Sequence, residues 1–322
     1  MPPSRRAGVA ENAPVDLRRE LPAVLLMGAL FLASIGLSMA FSKTADEMDI
    51  RAFEDPNDPA NPFIYLGIVV IFTVGILLIA KYGRRILIKY VVLGSVLLTV
   101  YYVAWPLLVK PLGLGAPVGP AEVLAGLVAA ALTALLWWYP EWYVIDVVGV
   151  AVAAGAAGIF GISFGLLPCL LLLVVFAIYD AIAVYRTKHM LALADSILEL
   201  RLPIMFVVPN QRGYSFLEET RRVKDPAPDE KAKPREAMFM GLGDAVIPGV
   251  LVVSAYTFLT GPGALVVALA TLAGSFVGFC ALMWFVMKGN PHAGLPLLNG
   301  GAILGFFAAL LPLYGLAPLW PF

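Results

Sequence analysis

The sequence predicts an all-α polytopic membrane protein with nine transmembrane helices. Three observations carry this prediction. Of the 322 residues, 61% are hydrophobic and 14% are charged, and the mean hydropathy is +0.88, which is typical of proteins that cross a bilayer several times. Apolar runs long enough to span about 30 Å of hydrocarbon recur along the chain. Basic residues collect in alternate connections between these runs, as the positive-inside rule requires.

The candidate spans are apolar runs separated by polar or proline-bearing connections. In chain order they are Leu21–Phe41, Phe63–Ala80, Tyr90–Val109, Ala121–Tyr139, Tyr143–Phe164, Leu166–Tyr185, Ala237–Leu259, Gly263–Met287 and Gly294–Leu316. The first run has an alternative interpretation as a signal peptide, because Ser38-Met39-Ala40 resembles a small-residue cleavage site. The run is longer than the roughly 7–15 apolar residues of a typical signal peptide, which favours a span.

The distribution of charge predicts the orientation of the chain. If the N-terminus is cytoplasmic and the nine spans alternate, only Lys43, Arg51 and Lys110 lie outside, which leaves 19 of the 22 basic residues inside. The C-terminus then lies outside. The predicted organisation is a cytoplasmic tail (1–20), helices 1–6 (21–185), a partly disordered cytoplasmic loop (186–236) and helices 7–9 (237–322).

The long loop contains two distinct stretches. Pro203–Pro209 is β-prone and bracketed by prolines, so it is a candidate strand. We expect it to pair with an extended substrate segment, with an ordinary loop as the alternative. Arg221–Arg235 is rich in Lys, Asp, Glu and Pro, and we expect it to be disordered because it cannot bury a core.

Two aspartates lie inside predicted spans, Asp180 in the sixth and Asp244 in the seventh. A charged side chain in hydrocarbon costs roughly 2.5–3.5 kcal/mol on insertion scales, so an intramembrane acid usually marks a functional site. Counted from Arg186 and Arg235, they lie roughly 9 and 13 Å from the same membrane boundary. We therefore expect the two carboxyl groups to face each other. The alternative is that each one separately satisfies a neighbouring helix or a water cavity, and for Asp146 we favour such a structural role.

The residues around Asp244 and Asp180 are distinctive. Gly241 and Gly243 remove side chains beside Asp244, so we expect another backbone to approach there. Pro248 cannot donate a hydrogen bond to the Asp244 carbonyl, which loosens the helix. Tyr179 adds a phenol next to Asp180.

These residues form a recognisable pattern. Tyr179-Asp180 in one span and Gly241-Leu242-Gly243-Asp244 in the next resemble the YD and GxGD motifs of presenilins and signal peptide peptidases, and the chain looks most like an archaeal presenilin homologue. The resemblance implies a presenilin-like fold, with Asp180 and Asp244 as catalytic residues and Tyr179, Gly241, Leu242 and Gly243 supporting the active site.

The third motif of that family, Pro-Ala-Leu, is imperfect in this chain. The preferred register places Ala293-Gly294-Leu295 at the motif, followed by Pro296, with these four residues positioning the substrate. The alternative register uses Pro296-Leu297-Leu298. We expect Leu295 and Pro296 to lie beside the aspartates, in a segment that is partly extended.

The resemblance implies an intramembrane aspartyl endopeptidase that hydrolyses peptide bonds within transmembrane segments. The implied partners are transmembrane or signal-peptide substrates and the lipid bilayer of an archaeal or other prokaryotic cell, with no nucleic acid. Two close carboxyl groups that share one proton supply a base for water and an acid for the leaving amine, so no cofactor or metal is implied. The alternatives are a proton-coupled transporter or channel that uses the same acids, and a noncatalytic chaperone or receptor.

Overall fold

The structure is a computed structural model. The residues that it describes are 17–82, 85–109, 119–184, 205–211, 213–219, 237–288 and 292–320. The predicted disordered stretch Arg221–Arg235 and most of the predicted N-terminal tail lie outside the described residues.

The described chain is mainly helical, with two short strands. In chain order the elements are α1 (Leu17–Glu47), α2 (Asn61–Lys81), α3 (Arg85–Val109), α4 (Pro120–Trp138), α5 (Trp142–Ser163), α6 (Leu166–Ile182), β1 (Met205–Pro209), β2 (Ala237–Gly241), α7 (Leu242–Phe258), α8 (Gly263–Met287) and α9 (Gly294–Tyr314), followed by a 3₁₀ turn (Ala317–Leu319).

Six helices of the described chain, α1, α3, α4, α5, α8 and α9, are long and apolar enough to cross a membrane. Three apolar segments are shorter, namely Asn61–Ile76 of α2, α6 and α7. α1 packs against α5 and α7 with Met27, Phe31 and Ile35 fully buried, so the first apolar run is a helix of the bundle. The prediction of an all-α integral membrane protein is thereby confirmed.

The seventh apolar run differs from the prediction, which placed one helix over Ala237–Leu259. Residues 237–241 are instead strand β2, and the helix begins at Leu242. The α-helical part of the sixth helix ends at Ile182 and continues as a π-helical turn at residues 183–184, while the predicted end at Tyr185 lies outside the described residues. Asp180 lies in the last α-helical turn of α6, and Asp244 lies in the first turn of α7 instead of the helix interior that was predicted for it.

α7 is the central helix of the described bundle. It packs against α1, α5, α6, α8 and α9, and its residues Val250–Val253 are at most 1% exposed. α9 is held tightly against α8, because a Cβ atom at Gly274 would lie 2.2 Å from the carbonyl oxygen of Gly301. Such close backbone approach is the usual way in which glycine packs membrane helices. These contacts fix the positions of α7 and α9, which carry Asp244 and the Ala293–Pro296 segment.

The two strands form an antiparallel pair. Met205 lies opposite Gly241, Val207 opposite Phe239, and Pro209 opposite Ala237. The β-prone run Pro203–Pro209 thus contains a strand, whose described partner is β2 of the same chain. Because β2 leads directly into α7, the sheet ends three residues before Asp244.

Candidate active site

Asp180 is carried on the buried face of α6. Leu172, Leu173 and Cys169 on that helix are at most 1% exposed, and Asp180, seven residues after Leu173, is 7% exposed. Seven residues make almost two helical turns, so Leu173 and Asp180 lie on the same face. The packing of α6 therefore turns the carboxyl group of Asp180 into the protein.

Asp244 is positioned by the junction between β2 and α7. The strand ends at Gly241, which is the N-cap residue, and the helix begins at Leu242. The Asp244 side chain is half-buried. It is near enough to Asp180 for the two carboxylates to repel each other when both are ionised.

The first turn of α9 contacts both aspartates. The Leu295 backbone N–H donates a hydrogen bond of 3.0 Å to Oδ2 of Asp180. A Cβ atom at Gly294 would lie 3.2 Å from Oδ1 of Asp244. The first N–H groups of a helix have no partner within the helix, so the start of α9 offers a donor to a carboxylate. The Ala293–Pro296 segment is thus in contact with both Asp180 and Asp244.

The segment is extended at Ala293 and helical from Gly294 onwards. Gly294 is the first residue of α9 and Pro296 the third. Proline is accommodated there, because its missing N–H would have no partner in the first turn of a helix. Ala293 precedes the helix as its N-cap and is 3% exposed.

Other predicted site residues lie farther from the carboxyl groups. Tyr179 is 60% exposed, so its side chain is on the outer face of α6 while Asp180 is on the inner face. Leu242 is 7% exposed and packs in the main hydrophobic core. Both residues are next to the site in sequence, but the Tyr179 side chain is exposed and the Leu242 side chain packs in the core.

The two motif glycines have open space where a side chain would project. Within the described chain, no atom lies within 4 Å of a Cβ built at Gly243, and at Gly241 the one such atom is Oδ2 of Asp244, at 3.8 Å. Both glycines are exposed. Met205 of β1 lies opposite Gly241 in the sheet, but on the side where a Cβ atom would project the two positions border open space beside Asp244.

Asn299 is a residue of this region that the sequence analysis missed. It is fully buried, and its Nδ2 donates a hydrogen bond of 2.9 Å to the carbonyl oxygen of Leu173. Asn299 lies one helical turn after Leu295, and Leu173 lies on the Asp180 face of α6, so this bond joins the same two faces as the Leu295–Asp180 bond. A lone amide inside an apolar span was the signal that could have identified it.

We expect Asn299→Leu to weaken the contact between α6 and α9. Leucine has a similar size but cannot donate to the Leu173 carbonyl, so the free energy of unfolding should fall by about 1 kcal/mol. Thermal unfolding of the purified protein measures this loss. Leu297→Ile, a change of shape on the same helix, is the control. An Asn299→Leu protein as stable as the wild type would show that the bond does not join the helices.

Comparison with known proteins gives a match to one family model and matches to solved structures. Residues 27–314 match the family model described as signal-peptide peptidase, presenilin aspartyl protease. A solved structure described as a presenilin family intramembrane aspartate protease in the C222 space group is 35% identical, with a TM-score of 0.67, covering 90% of this chain and 99% of that one. A second, in the P2 space group, is 36% identical with a TM-score of 0.63, covering 89% and 97%. The search of curated sequences returned no match.

Proposed function

Because the chain belongs to the signal-peptide peptidase and presenilin family and is an intramembrane aspartyl protease, we propose that Asp180 and Asp244 are its two catalytic residues. The observation that carries the proposal is the start of α9, where the Leu295 N–H is bonded to Asp180 and Gly294 lies against Asp244. One short segment thus touches both carboxyl groups. A transporter or channel finds no support in the family assignment.

The two carboxyl groups supply acid and base to the same peptide bond. One carboxylate takes a proton from water, and its protonated partner donates a hydrogen bond to the scissile carbonyl. Protonation of the leaving amine then exchanges their roles. Repulsion between the two carboxylates favours the state in which they share one proton. Residues Ala293–Pro296 position the substrate beside this pair.

The substrate is a transmembrane segment of another protein, and it binds in an extended form. A helix hides its carbonyl groups in its own hydrogen bonds, so the cleaved segment must unwind before water attacks. The open space at Gly241 and Gly243 is the place for it, because both positions are exposed and border Asp244. The Gly241 end of β2 then offers backbone groups for strand addition.

The edge of β1 is less suited to that role than the sequence suggested. The Val207 N–H of β1 already donates a hydrogen bond of 2.7 Å to Oδ1 of Asp146. A substrate strand on that edge would have to displace this buried bond. The proposal therefore assigns substrate pairing to β2 and not to Pro203–Pro209.

The chain crosses the membrane nine times, with its N-terminus in the cytoplasm and its C-terminus outside the cell, in a prokaryotic membrane. Nine apolar helices in the described chain support this count. α6 and α7 have 17 residues each, or about 26 Å, which is short of a hydrocarbon core of about 30 Å. Strand β2 extends the chain towards the membrane boundary before α7, and a π-helical turn at residues 183–184 does so after α6.

The test is proteolysis by the purified protein. We expect the detergent-solubilised chain to cut a synthetic transmembrane peptide and to produce new termini that mass spectrometry identifies within the apolar segment. Asp180→Asn and Asp244→Asn proteins, prepared in parallel, control for contaminating proteases. Equal cleavage by wild type and both variants would contradict the proposed catalytic pair.

A further inference from the structure

We infer that Asp146, assisted by Glu141, is a positioning residue that fixes the register of the β1–β2 sheet beside Asp244. The inference rests on the proposed function, since the sheet matters for catalysis only if a substrate segment lies along it. Both acids are near the N-terminal end of α5, and within the described chain neither forms a hydrogen bond with Asp180 or Asp244. Their contacts lead instead to β1 and to the segment that follows it.

The central contact is a hydrogen bond from backbone to side chain. Oδ1 of Asp146 accepts the Val207 N–H at 2.7 Å, and Asp146 is 3% exposed. Burying a carboxyl group in an apolar helix is costly unless it is hydrogen-bonded. The Asp146 carboxyl group therefore binds one particular residue of β1, Val207.

The position of Val207 in the sheet turns this bond into a register constraint. In an antiparallel pair, the N–H and C=O of one residue point towards the partner strand and those of the next point away. Because the Val207 N–H points to α5, the pairs on either side, Phe206–Met240 and Val208–Met238, are the ones that exchange backbone hydrogen bonds. A slip of one residue would take a different N–H to Asp146 and turn every side chain to the other face.

Glu141 holds the chain after β1 in a similar way. Glu141 is the N-cap residue of α5 and is 7% exposed. Its Oε1 accepts a hydrogen bond of 2.7 Å from the Ser215 hydroxyl, and its Oε2 accepts one of 3.1 Å from the Phe216 N–H. The N-terminal part of α5 thus binds the chain at two places: at Val207 within β1, and at Ser215 and Phe216 a few residues beyond β1.

Packing brings the start of α7 onto the same surface of α5. Val207 is fully buried and shares a hydrophobic cluster with Ile145 and Val148. A Cβ atom at Gly149 would lie 3.2 Å from Phe206 of β1 and 3.3 Å from Leu242 of α7. One turn of α5 therefore contacts the sheet and the residue two positions before Asp244. Anchoring β1 at Asp146 fixes β2, and through β2 it fixes the chain that enters the active site.

The presence of an acid at position 146 is not explained by a contribution to the stability of the fold alone. The second oxygen of Asp146, Oδ2, is buried and has no hydrogen-bond partner among the described residues. Half of the carboxyl group is thus buried without compensation, a cost that an apolar side chain would avoid. What the acid provides and leucine cannot is an acceptor for the Val207 N–H.

The experiment compares Asp146→Asn, Asp146→Leu and Val147→Leu in the full chain. Asparagine keeps an acceptor for the Val207 N–H, whereas leucine of similar size does not. Val147 is the adjacent residue and is 58% exposed, so Val147→Leu introduces the same side chain away from the sheet. Two readouts are taken: hydrogen exchange of residues 205–209 and 237–241, and the termini of the products cut from a transmembrane peptide.

We expect Asp146→Leu to raise the exchange rate of the two strands by about tenfold or more, since loss of the bond leaves a buried donor unpaired. The cleavage sites should spread over neighbouring peptide bonds, because a loosened sheet holds the substrate in several registers. Asp146→Asn and Val147→Leu should keep the wild-type exchange and cleavage sites. A change in stability alone lowers the amount of active enzyme but does not move the cleavage site.

Three results would overturn the inference. The first is that folded Asp146→Leu exchanges the amide hydrogens of the two strands at the wild-type rate. The second is that this variant cuts the peptide at the wild-type sites. The third is that Asp146→Asn changes the exchange rate and the cleavage sites as much as Asp146→Leu does. If Asp146→Leu does not fold, Val207→Pro removes the same hydrogen bond from the strand side, and because the Val207 N–H points away from β2, no hydrogen bond between the two strands is lost. The exchange readout needs no activity. If the wild-type protein failed to cut the peptide, the proposed function would be contradicted. The hydrogen-exchange comparison would still test whether Asp146 anchors the sheet.

Discussion

Asp180→Asn and Asp244→Asn should each reduce kcat/KM for cleavage of a transmembrane peptide by about 10⁴-fold, the upper range for loss of a general acid or base. Asparagine keeps the shape of the side chain, and at position 180 its oxygen still accepts the Leu295 N–H. It cannot take up or release the proton that the reaction moves. Initial rates measured by mass spectrometry, with thermal unfolding of each variant, separate loss of chemistry from loss of folding.

Glu122→Gln is the matched control for these variants. Glu122 lies in the first turn of α4, and its Oε1 accepts a hydrogen bond of 3.1 Å from the Tyr101 hydroxyl, which an amide oxygen also accepts. The exchange of acid for amide is the same, but it is remote from Asp180 and Asp244, so activity should stay at the wild-type level. The double variant should be no worse than either single one, because groups that act as a unit are not additive. Substantial turnover by either aspartate variant would eliminate the mechanism.

The sequence predicted correctly those features of the structure that depend on the type of a residue and its immediate neighbours. Apolar runs of about 20 residues predict membrane helices whatever their neighbours, and eight of the nine predicted spans begin in helices of the structure. Asp180 and Asp244 were conspicuous because a carboxyl group is costly in an apolar helix. These features depend on the residue and its immediate surroundings, so no knowledge of tertiary contacts was needed.

The sequence failed where the structure depends on a distant partner. The run Ala237–Gly241 is apolar and was assigned to a helix, because a short apolar run cannot be classified by its periodicity. Its strand conformation comes from pairing with Met205–Pro209, which lies far away in the chain. The motif resemblance led us to expect Leu295 beside the aspartates, but the contact it makes with Asp180 uses a backbone N–H, which every residue except proline possesses. No side-chain pattern marks it.

Gly294→Val should reduce kcat/KM by about 10²-fold, the effect expected when a catalytic group is displaced by about 1 Å. A Cβ atom at this position would lie 3.2 Å from Oδ1 of Asp244 and 3.2 Å from Cδ2 of Leu282, and the two methyl groups of valine need space beyond that. Leu282 is 4% exposed and packed in the core, so the side chain that moves is Asp244. Gly294→Ala adds only the Cβ and should cost less. Rates and thermal unfolding of both variants measure the effect.

Gly300→Val on the same helix provides the control. No atom of the described chain lies within 4 Å of a Cβ at Gly300, so the same substitution meets open space there. It should leave kcat/KM close to the wild-type value, which separates the effect of valine in α9 from the effect of crowding Asp244. The graded series of glycine, alanine and valine at position 294 adds a second check, since crowding must increase with side-chain size. If folded Gly294→Val cleaved as fast as the wild type, the start of α9 would not constrain Asp244, and its place beside both carboxyl groups would have no part in catalysis.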